Sequence, residues 1–223
     1  MRICKYCFRG FETQHLWHLI RPPLLCRTCY EQLEWHHRIE NWHGIKIESL
    51  LDYGPTFQKM IYQLKANLDI ELAPVFLNQH VPYLKLKYSQ FTLVLAPTHE
   101  HDITLRGFHP LIEIYQSLNL PMMTLFEKNR PYRQAEQHGS DRQQIQNVII
   151  LKKGVTIPQQ ILLVDDVMTT GETIKAMINL LKPRRPQQLK ILVLARKKQE
   201  KIEITTDIKN DKIRNWKQQT WHG

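Results

Sequence analysis

The residues best suited to ligand chemistry follow a short apolar segment in the last third of this 223-residue chain. Four apolar residues at 161–164 are followed by the acids Asp165 and Asp166, and then by a threonine-rich stretch that ends at Gly171. A helical pattern of apolar residues occupies 172–182. Parallel sheets bind ligands beyond the carboxyl ends of their strands, and the start of a helix offers unpaired backbone N–H groups to an anion. The segment therefore predicts a phosphate site.

The side chains around this turn suit a phosphorylated sugar. Thr169, Thr170 and Thr173 supply hydroxyl donors, and Gly171 lets the backbone approach a phosphate closely. Two adjacent acids fit a ligand that also carries sugar hydroxyls or a bound Mg²⁺. The alternative is an ordinary strand-to-helix turn with a capping threonine and two solvated acids. The chain has no G-x-G-x-x-G and no G-x-x-x-x-G-K-[ST], which disfavours a Rossmann dinucleotide site and a P-loop NTPase.

A second set of reactive side chains lies at the N-terminus. The four cysteines of the chain follow the pattern C-x2-C-x18-C-x2-C. Two such pairs can surround one tetrahedral ion, and Zn²⁺ suits four soft thiolates. We expect a structural Zn²⁺ with no open coordination position, whereas a redox-active pair or an iron–sulfur site is the alternative. The predicted ligands are Cys4, Cys7, Cys26 and Cys29.

The elements that must position these residues alternate between strands and helices. Strands are predicted at 46–53, 91–96, 121–126, 161–164 and 190–195, and helices at 56–65, 70–80, 110–118 and 172–182. Such alternation is typical of βαβ units and a mostly parallel sheet. We therefore predict an α/β domain over residues 45–223. A Cys4 zinc ribbon or finger over residues 1–44 would precede it, with 35–44 as a polar and aromatic connector.

Charge points to polyanionic partners. The 31 basic and 21 acidic residues give a net charge of +10 and a pI near 9.5. Basic charge of this size attracts nucleic acid, although good solubility alone would also account for it. The aromatic residues Phe8, Phe11 and Trp17 would either stack on bases or pack the zinc module against the main domain. The predicted nucleic-acid contacts are Lys182, Arg184, Arg185, Arg196, Lys197 and Lys198.

Composition excludes several classes of protein. Hydrophobic residues make up 42% of the chain, which is typical of a globular protein and not of a disordered one. No apolar run approaches the roughly 20 residues that a membrane-spanning helix needs. The N-terminus has no apolar signal-peptide segment, so we expect a cytoplasmic protein.

The segment at 164–174, VDDVMTTGETI, resembles the phosphoribosyl-pyrophosphate signature of type I phosphoribosyltransferases. A Cys4 module ahead of such a domain is similar to the ComF family of competence proteins from naturally transformable bacteria. The resemblance covers most of the chain. It extends to Tyr53-Gly54, Lys65, Ala96-Pro97, Arg106-Gly107-Phe108 and the series Arg130, Gln134, Arg142 and Asn147.

This resemblance implies roles for individual residues. Asp165 and Asp166 would be the catalytic pair that holds the ribose hydroxyls. Arg106 would contact pyrophosphate or another anion, and residues 127–142 would form a mobile flap. The 5′-phosphate would lie against Val167, Met168, Thr169, Thr170, Gly171 and Thr173, and pyrophosphate against Pro97, Thr98 and His99.

The sequence also departs from the family pattern. His109 stands where the family usually has Asn, Ala96 where Val is usual, and Lys182-Pro183 where the helix usually ends in Gly. These departures leave the specificity for a base and the geometry of the loops open.

Two functions fit these observations. The resemblance implies a role in uptake and processing of single-stranded transforming DNA, with a retained site for phosphoribosyl pyrophosphate or a nucleotide. It also implies a ComFA-like helicase as a partner of the zinc module. The alternative is an active Mg²⁺-dependent phosphoribosyltransferase that acts on an unidentified base or nucleotide.

Overall fold

The computed structural model describes residues 1–12, 21–128 and 149–197. Its N-terminal part contains a two-stranded antiparallel pair and one short helix, followed by a long hairpin. These elements are β1 (Arg2–Ile3), β2 (Gly10–Phe11), α1 (Arg27–Glu31), β3 (Trp35–Trp42) and β4 (Ile45–Asp52).

Helices then alternate with strands, as the sequence predicts. The first group comprises α2 (Pro55–Ala66), a 3₁₀ helix (Ile70–Phe76), α3 (Val81–Lys87) and β5 (Thr92–Leu95). The second comprises α4 (Glu100–Arg106), α5 (Pro110–Tyr115), a 3₁₀ turn (Gln116–Leu118), β6 (Met122–Met123) and β7 (Phe126–Lys128). The third comprises β8 (Ile149–Leu151), β9 (Gln160–Met168), α6 (Glu172–Leu181), a 3₁₀ turn (Lys182–Arg184) and β10 (Gln188–Arg196).

A six-stranded sheet in the order β3-β4-β10-β9-β5-β6 holds the described residues together. Strand β3 is antiparallel to β4, and the other neighbours run parallel. Leu95 of β5 pairs with Val164 of β9, so the carboxyl ends of these strands meet at one edge of the sheet. The predicted α/β class with a mostly parallel sheet is confirmed.

Helices cover the sheet through the faces that the apolar periodicity indicates. Each buried aliphatic or aromatic side chain contributes about 1.5–3 kcal/mol to the free energy of unfolding, so these faces fix the helices on the sheet. The buried positions are Phe57, Met60, Ile61 and Leu64 on α2, and Ile174, Met177, Ile178 and Leu181 on α6.

Three predicted elements differ in the structure. The helix expected over 70–80 is a 3₁₀ helix that ends at Phe76 and contains Pro74, which cannot donate an α-helical hydrogen bond. The strand expected over 121–126 is two short strands, β6 and β7, in different sheets. Strand β9 does not end at Val164 but continues through both acids to Met168.

The connector expected over 35–44 is also wrong, because residues 35–42 form the edge strand β3. A two-residue turn joins β3 to β4, with positive φ angles of 50° at His43 and 82° at Gly44. Two consecutive positive φ angles characterise the tight turn that matches the twist of a hairpin. The side-chain oxygen of Asn41 accepts a hydrogen bond of 2.8 Å from the N–H of Gly44.

The N-terminal segment packs directly on the main domain. Cys4, Leu25, Cys29 and Leu33 are buried in the same apolar core as the sheet and its helices. The amide of Asn78 donates a hydrogen bond of 2.9 Å to the carbonyl of Pro22. The division of the chain at residue 44 stays a prediction, although the pairing of β3 favours a boundary before Trp35. No helix within the three described ranges is long and apolar enough to cross a membrane.

Candidate functional site

The two acids lie on β9 at the edge of the sheet where its parallel strands end. Pro97 and Thr98 follow β5 at the same edge, because β5 pairs in register with β9 and the N–H of Ala96 donates to the carbonyl of Val164 at 2.9 Å. The predicted phosphate segment and the predicted pyrophosphate segment are therefore neighbours. This arrangement is the one that ligands of parallel sheets use.

Lys65, at the C-terminal end of α2, forms an ion pair with the carboxylate of Asp166. Burial raises the pKa of Asp166, but the attraction of Lys65 outweighs burial and holds the net pKa below its usual value. Burial likewise lowers the pKa of Lys65, and Asp166 reverses this into a net increase. Both groups are therefore charged at neutral pH.

The pKa of Asp165 is shifted in the opposite direction from that of Asp166. Burial and the neighbouring charge of Asp166 together raise the pKa of its carboxyl group to about 8. Its side-chain oxygen accepts a hydrogen bond of 2.9 Å from the N–H of Asp166. One acid of the pair is thus ionised and the other is largely protonated at neutral pH, a separation that is characteristic of functional carboxylate pairs.

The turn after the acids combines exposed hydroxyls with a constrained backbone. Thr169 and Thr170 are exposed, and Gly171 is buried with a φ of +81° directly before α6. A Cβ atom at position 171 would lie 2.5 Å from Met168 Cε and 2.7 Å from Trp42 Cζ2, so only glycine fits. The side chain of Met168 is buried in the core, so this residue can reach a ligand only through its backbone.

Arg106 lies beside Lys65, and its guanidinium group already contacts other residues of the protein. Its Nε donates a hydrogen bond of 3.1 Å to the carbonyl of Lys65, and its Nη2 lies 3.7 Å from the carboxylate of Asp102. The side chain of Arg106 is still 22% exposed. The predicted anion contact therefore lies beside Lys65.

Three further residues at this edge were absent from the predicted set of site residues. The hydroxyl of Tyr115 donates a hydrogen bond of 2.9 Å to the carbonyl of Asp165 and fixes the strand beneath the acid. Burial lowers the pKa of Lys128, which also interacts electrostatically with Asp165. The third residue is Trp42, whose ring lies on Gly171. Of these three, only Lys128 was covered by the family resemblance, as part of the flap expected at 127–142. The resemblance also included Lys65, which carried no assigned role.

His109, the residue that departs from the family pattern, is buried at the start of α5. Burial lowers its pKa, and the nearby positive charges of Lys65 and Arg106 lower it further. Its Nδ1 has no hydrogen-bond partner among the described residues. A neutral imidazole therefore lies beside the candidate site.

The predicted nucleic-acid residues lie at two different ends of the sheet. Lys182, Arg184 and Arg185 are exposed after α6, before β10 begins. Arg196 and Lys197 follow at the other end of β10, about 25–30 Å away for a nine-residue strand. Arg196 is 14% exposed and forms an ion pair with Glu40, whereas Lys197 is exposed.

Several predicted features lie outside the described residues. They are Lys198, Trp17, most of the expected flap at 127–142, and the family residues Arg130, Gln134, Arg142 and Asn147. The other two aromatic residues predicted to stack on bases or to pack the zinc module are described. Phe8 is 65% exposed, and Phe11 packs against the core.

The four cysteines meet at a single point, and their sulfur atoms all lie within 4.8 Å of one another. The sulfurs of Cys7 and Cys26 are 3.7 Å apart. A tetrahedral Zn²⁺ with bonds of about 2.3 Å would separate its sulfur ligands by about 3.8 Å, so the cluster fits this ion. A backbone hydrogen bond at Arg9 lowers the pKa of Cys7 to about 6, whereas burial raises the pKa of Cys29.

Comparison with known proteins identifies the family of the main domain. The family model described as "Phosphoribosyl transferase domain" matches residues 104–222, more than half of the chain. The chain is 28% identical over 153 residues to the competence protein ComFC of Streptococcus pneumoniae, and the match covers 69% of each chain. The predicted resemblance to the ComF family is thereby confirmed.

The similarity to solved structures is weaker. A hypoxanthine phosphoribosyltransferase from Staphylococcus aureus is 14% identical, with a TM-score of 0.34, and the match covers 63% of this chain and 62% of that one. The same enzyme from Trypanosoma cruzi is 15% identical, with a TM-score of 0.38 and coverages of 57% and 65%. This chain thus spans less than two thirds of either enzyme.

Proposed function

Because this chain belongs to the phosphoribosyl transferase domain family, we propose that its strand-end acids and the glycine turn after them bind a 5-phosphoribosyl group. The proposal rests on one observation. Asp165, Asp166 and the turn at 169–171 occupy the same sheet edge as Pro97 and Thr98. Sugar hydroxyls, a 5′-phosphate and a pyrophosphate can therefore be held side by side.

Different residues of the chain bind the phosphate and the ribose of this ligand. The exposed hydroxyls of Thr169 and Thr170 and the N–H groups at the start of α6 hold the 5′-phosphate. The ionised carboxylate of Asp166 accepts hydrogen bonds from ribose hydroxyls, and Lys65 balances its charge until the ligand arrives. Carboxylate and phosphate oxygens also suit Mg²⁺, which would neutralise the charge of a bound pyrophosphate.

We further propose that the protein acts in uptake and processing of single-stranded DNA, as a ComFC-like competence protein. The support is the similarity to the Streptococcus pneumoniae protein together with the exposed basic residues at Lys182, Arg184, Arg185 and Lys197. Such residues contact phosphates without regard to sequence. The four-cysteine cluster holds a structural Zn²⁺ in this proposal, and a ComFA-like helicase as its partner stays a prediction.

A second candidate is a Mg²⁺-dependent phosphoribosyltransferase. The observation that favours it is the ion pair between Lys65 and Asp166 next to Asp165, because Lys65 keeps Asp166 ionised while burial raises the pKa of Asp165 to about 8. In such a reaction a base nitrogen forms a bond to the anomeric carbon while the bond to pyrophosphate breaks. The ionised carboxylate of Asp166 beneath the ribose would stabilise the positive charge that develops on the sugar.

Calorimetric titration of the zinc-loaded protein with phosphoribosyl pyrophosphate and Mg²⁺ tests the first proposal. We expect saturable binding that is lost when Asp165→Asn and Asp166→Asn are combined. Glu31→Gln, an exposed acid on α1, is the matched control and should bind normally. Absence of binding to the unmodified protein would refute the phosphoribosyl site.

Two further measurements separate the remaining alternatives. Binding of single-stranded DNA should weaken steeply with salt and persist in the double Asp→Asn variant, because counterion release depends on basic residues. Release of pyrophosphate in the presence of a base, lost in the same variant, would instead establish the transferase.

A further inference from the structure

The turn that follows the acids is closed on one side by the indole ring of Trp42. A Cβ atom at Gly171 would lie 2.7 Å from Cζ2 and 3.2 Å from Cη2 of this ring, and 2.5 Å from Cε of Met168. Real Cβ atoms essentially never lie within 3.0 Å of another atom, and the distance to Cζ2 is below this limit, so the ring leaves no free space above the glycine. Gly171 is therefore enclosed between two side chains that come from different strands.

Trp42 is itself held firmly by the hairpin of β3 and β4. It pairs with Ile45 directly beside the two-residue turn at His43 and Gly44. The hydrogen bond from Gly44 to Asn41 closes this turn at 2.8 Å. A neighbouring residue of β3, Glu40, forms the ion pair with Arg196 at the end of β10.

Hydrogen bonds within the protein also fix the backbone of residues 168–171, which we call the phosphate turn. The carbonyl of Met168 accepts a hydrogen bond of 3.1 Å from the N–H of Lys197 after β10. The carbonyl of Gly171 accepts one of 2.9 Å from Lys175 in the first turn of α6. Inner hydrogen bonds and an outer aromatic ring thus confine the same short stretch of backbone.

We propose that Trp42 is a positioning residue for the phosphate turn and acts through Gly171. This inference rests on the proposed phosphoribosyl site and adds that the site depends on an edge strand outside the region matched by the family model. A backbone that already has its bound conformation loses less conformational entropy when a ligand arrives. Trp42 holds the N–H groups of the turn in place for the 5′-phosphate.

Calorimetric titration with phosphoribosyl pyrophosphate and Mg²⁺ tests this role in four proteins. We expect Trp42→Ala to raise the dissociation constant about tenfold, a loss typical of removed preorganisation. Trp42→Phe keeps a flat ring on Gly171 and should restore most of the affinity. Trp35→Ala removes the same side chain from the other end of β3, where it stacks on Tyr30, and should bind normally.

Intrinsic fluorescence supplies a readout that a purely structural role would not change. Addition of the same ligand should alter tryptophan emission, and Trp42→Phe should abolish this signal whereas Trp35→Phe keeps it. Wild-type affinity in Trp42→Ala, or an equal loss in Trp35→Ala, would overturn the inference. Failure of the unmodified protein to bind would instead refute the phosphoribosyl site itself, so the two failures are distinguishable.

Discussion

Lys65 and Asp166 form an ion pair that joins the end of helix α2 to the edge of the central sheet. Lys65 is one third exposed and Asp166 is buried. The buried carboxylate therefore has its counterion on a side chain that still reaches solvent. We interpret Lys65 as the counterion that keeps Asp166 ionised before the ligand binds.

Replacement of Lys65 by methionine should destabilise the protein and also weaken the ligand site. An uncompensated buried carboxylate costs up to about 3–5 kcal/mol, and the partial exposure of Lys65 reduces this to about 2 kcal/mol. Urea unfolding measures the loss of stability, and calorimetric titration with phosphoribosyl pyrophosphate and Mg²⁺ measures the loss of affinity.

Lys87→Met is the matched control for this substitution. Lys87 lies 2.6 Å from the buried carboxylate of Glu48, on β4 and away from the acid pair. Its loss should lower stability comparably and leave ligand affinity unchanged. Equal ligand affinity in both variants would contradict the assigned role of Lys65.

Asp165 should make the stability of the protein depend on pH in an unusual direction. Its folded-state pKa of about 8 lies above the ordinary value of 3.8, so the folded state holds a proton that the unfolded state releases. Stability from this group is complete below the ordinary value and is lost as the pH rises through 8. Most native acids behave in the opposite way, since their pKa is lowered by folding.

Asp165→Asn removes this dependence because the amide does not ionise. In Mg²⁺-free buffer, the melting temperature of the variant should exceed that of the unmodified protein at pH 9 by about 3 °C, a shift that corresponds to about 1 kcal/mol at this size. The difference should shrink towards pH 6. Parallel curves for the two proteins between pH 6 and pH 9 would show that Asp165 titrates normally.

Apolar periodicity predicted most of the fold. Five elements begin and end within two residues of their predicted bounds: the helices α2 and α6 and the strands β4, β5 and β10. Their buried apolar residues repeat with the period of a helix or a strand, and this repeat is visible in the sequence. Strand β3 was missed because its sequence, WHHRIENW, is mostly polar and exposed. An edge strand needs backbone pairing and little burial, so hydropathy carries a weak signal for it.

The sequence predicted the part of the candidate site that one stretch of the chain supplies. It did not predict the residues that the fold brings to the site from distant elements. Asp165, Asp166 and Gly171 are close in sequence and were identified together. Trp42 and Tyr115 come from distant elements, and neither belongs to a motif. Their contacts with Gly171 and Asp165 depend on the strand order, which the sequence pattern does not specify.

The cysteine cluster should contain one zinc ion per chain and contribute to stability. Cys4 and Cys29 are almost fully buried within the main core, so loss of the ion would leave four thiols crowded between packed side chains. We expect one equivalent of zinc by plasma emission spectroscopy and a lower melting temperature after treatment with a strong chelator.

Cys29→Ser should likewise lose the metal and lower the melting temperature, whereas Ser49→Ala, a buried site on β4, should retain the metal. Iron in place of zinc would contradict the assignment.

The basic residues at the two ends of β10 should contribute unequally to binding of single-stranded DNA. Lys182, Arg184 and Arg185 are exposed together, whereas Arg196 is paired with Glu40. Replacing the first three by glutamine should weaken binding and reduce the salt slope by about 2, at about 0.7 for each phosphate contact that is lost. Fluorescence anisotropy with a labelled oligonucleotide between low and high salt measures this slope.

A charge-matched control distinguishes a binding surface from a general effect of positive charge. Arg2, Lys59 and Lys153 are also exposed and lie on β1, on α2 and directly after β8, so their replacement by glutamine removes the same net charge away from this turn. If DNA binds at the turn between α6 and β10, only the first triple variant changes the slope, because released counterions come from the phosphates that are actually contacted. Equal changes in both variants would assign DNA binding to the overall charge of +10 and not to this turn.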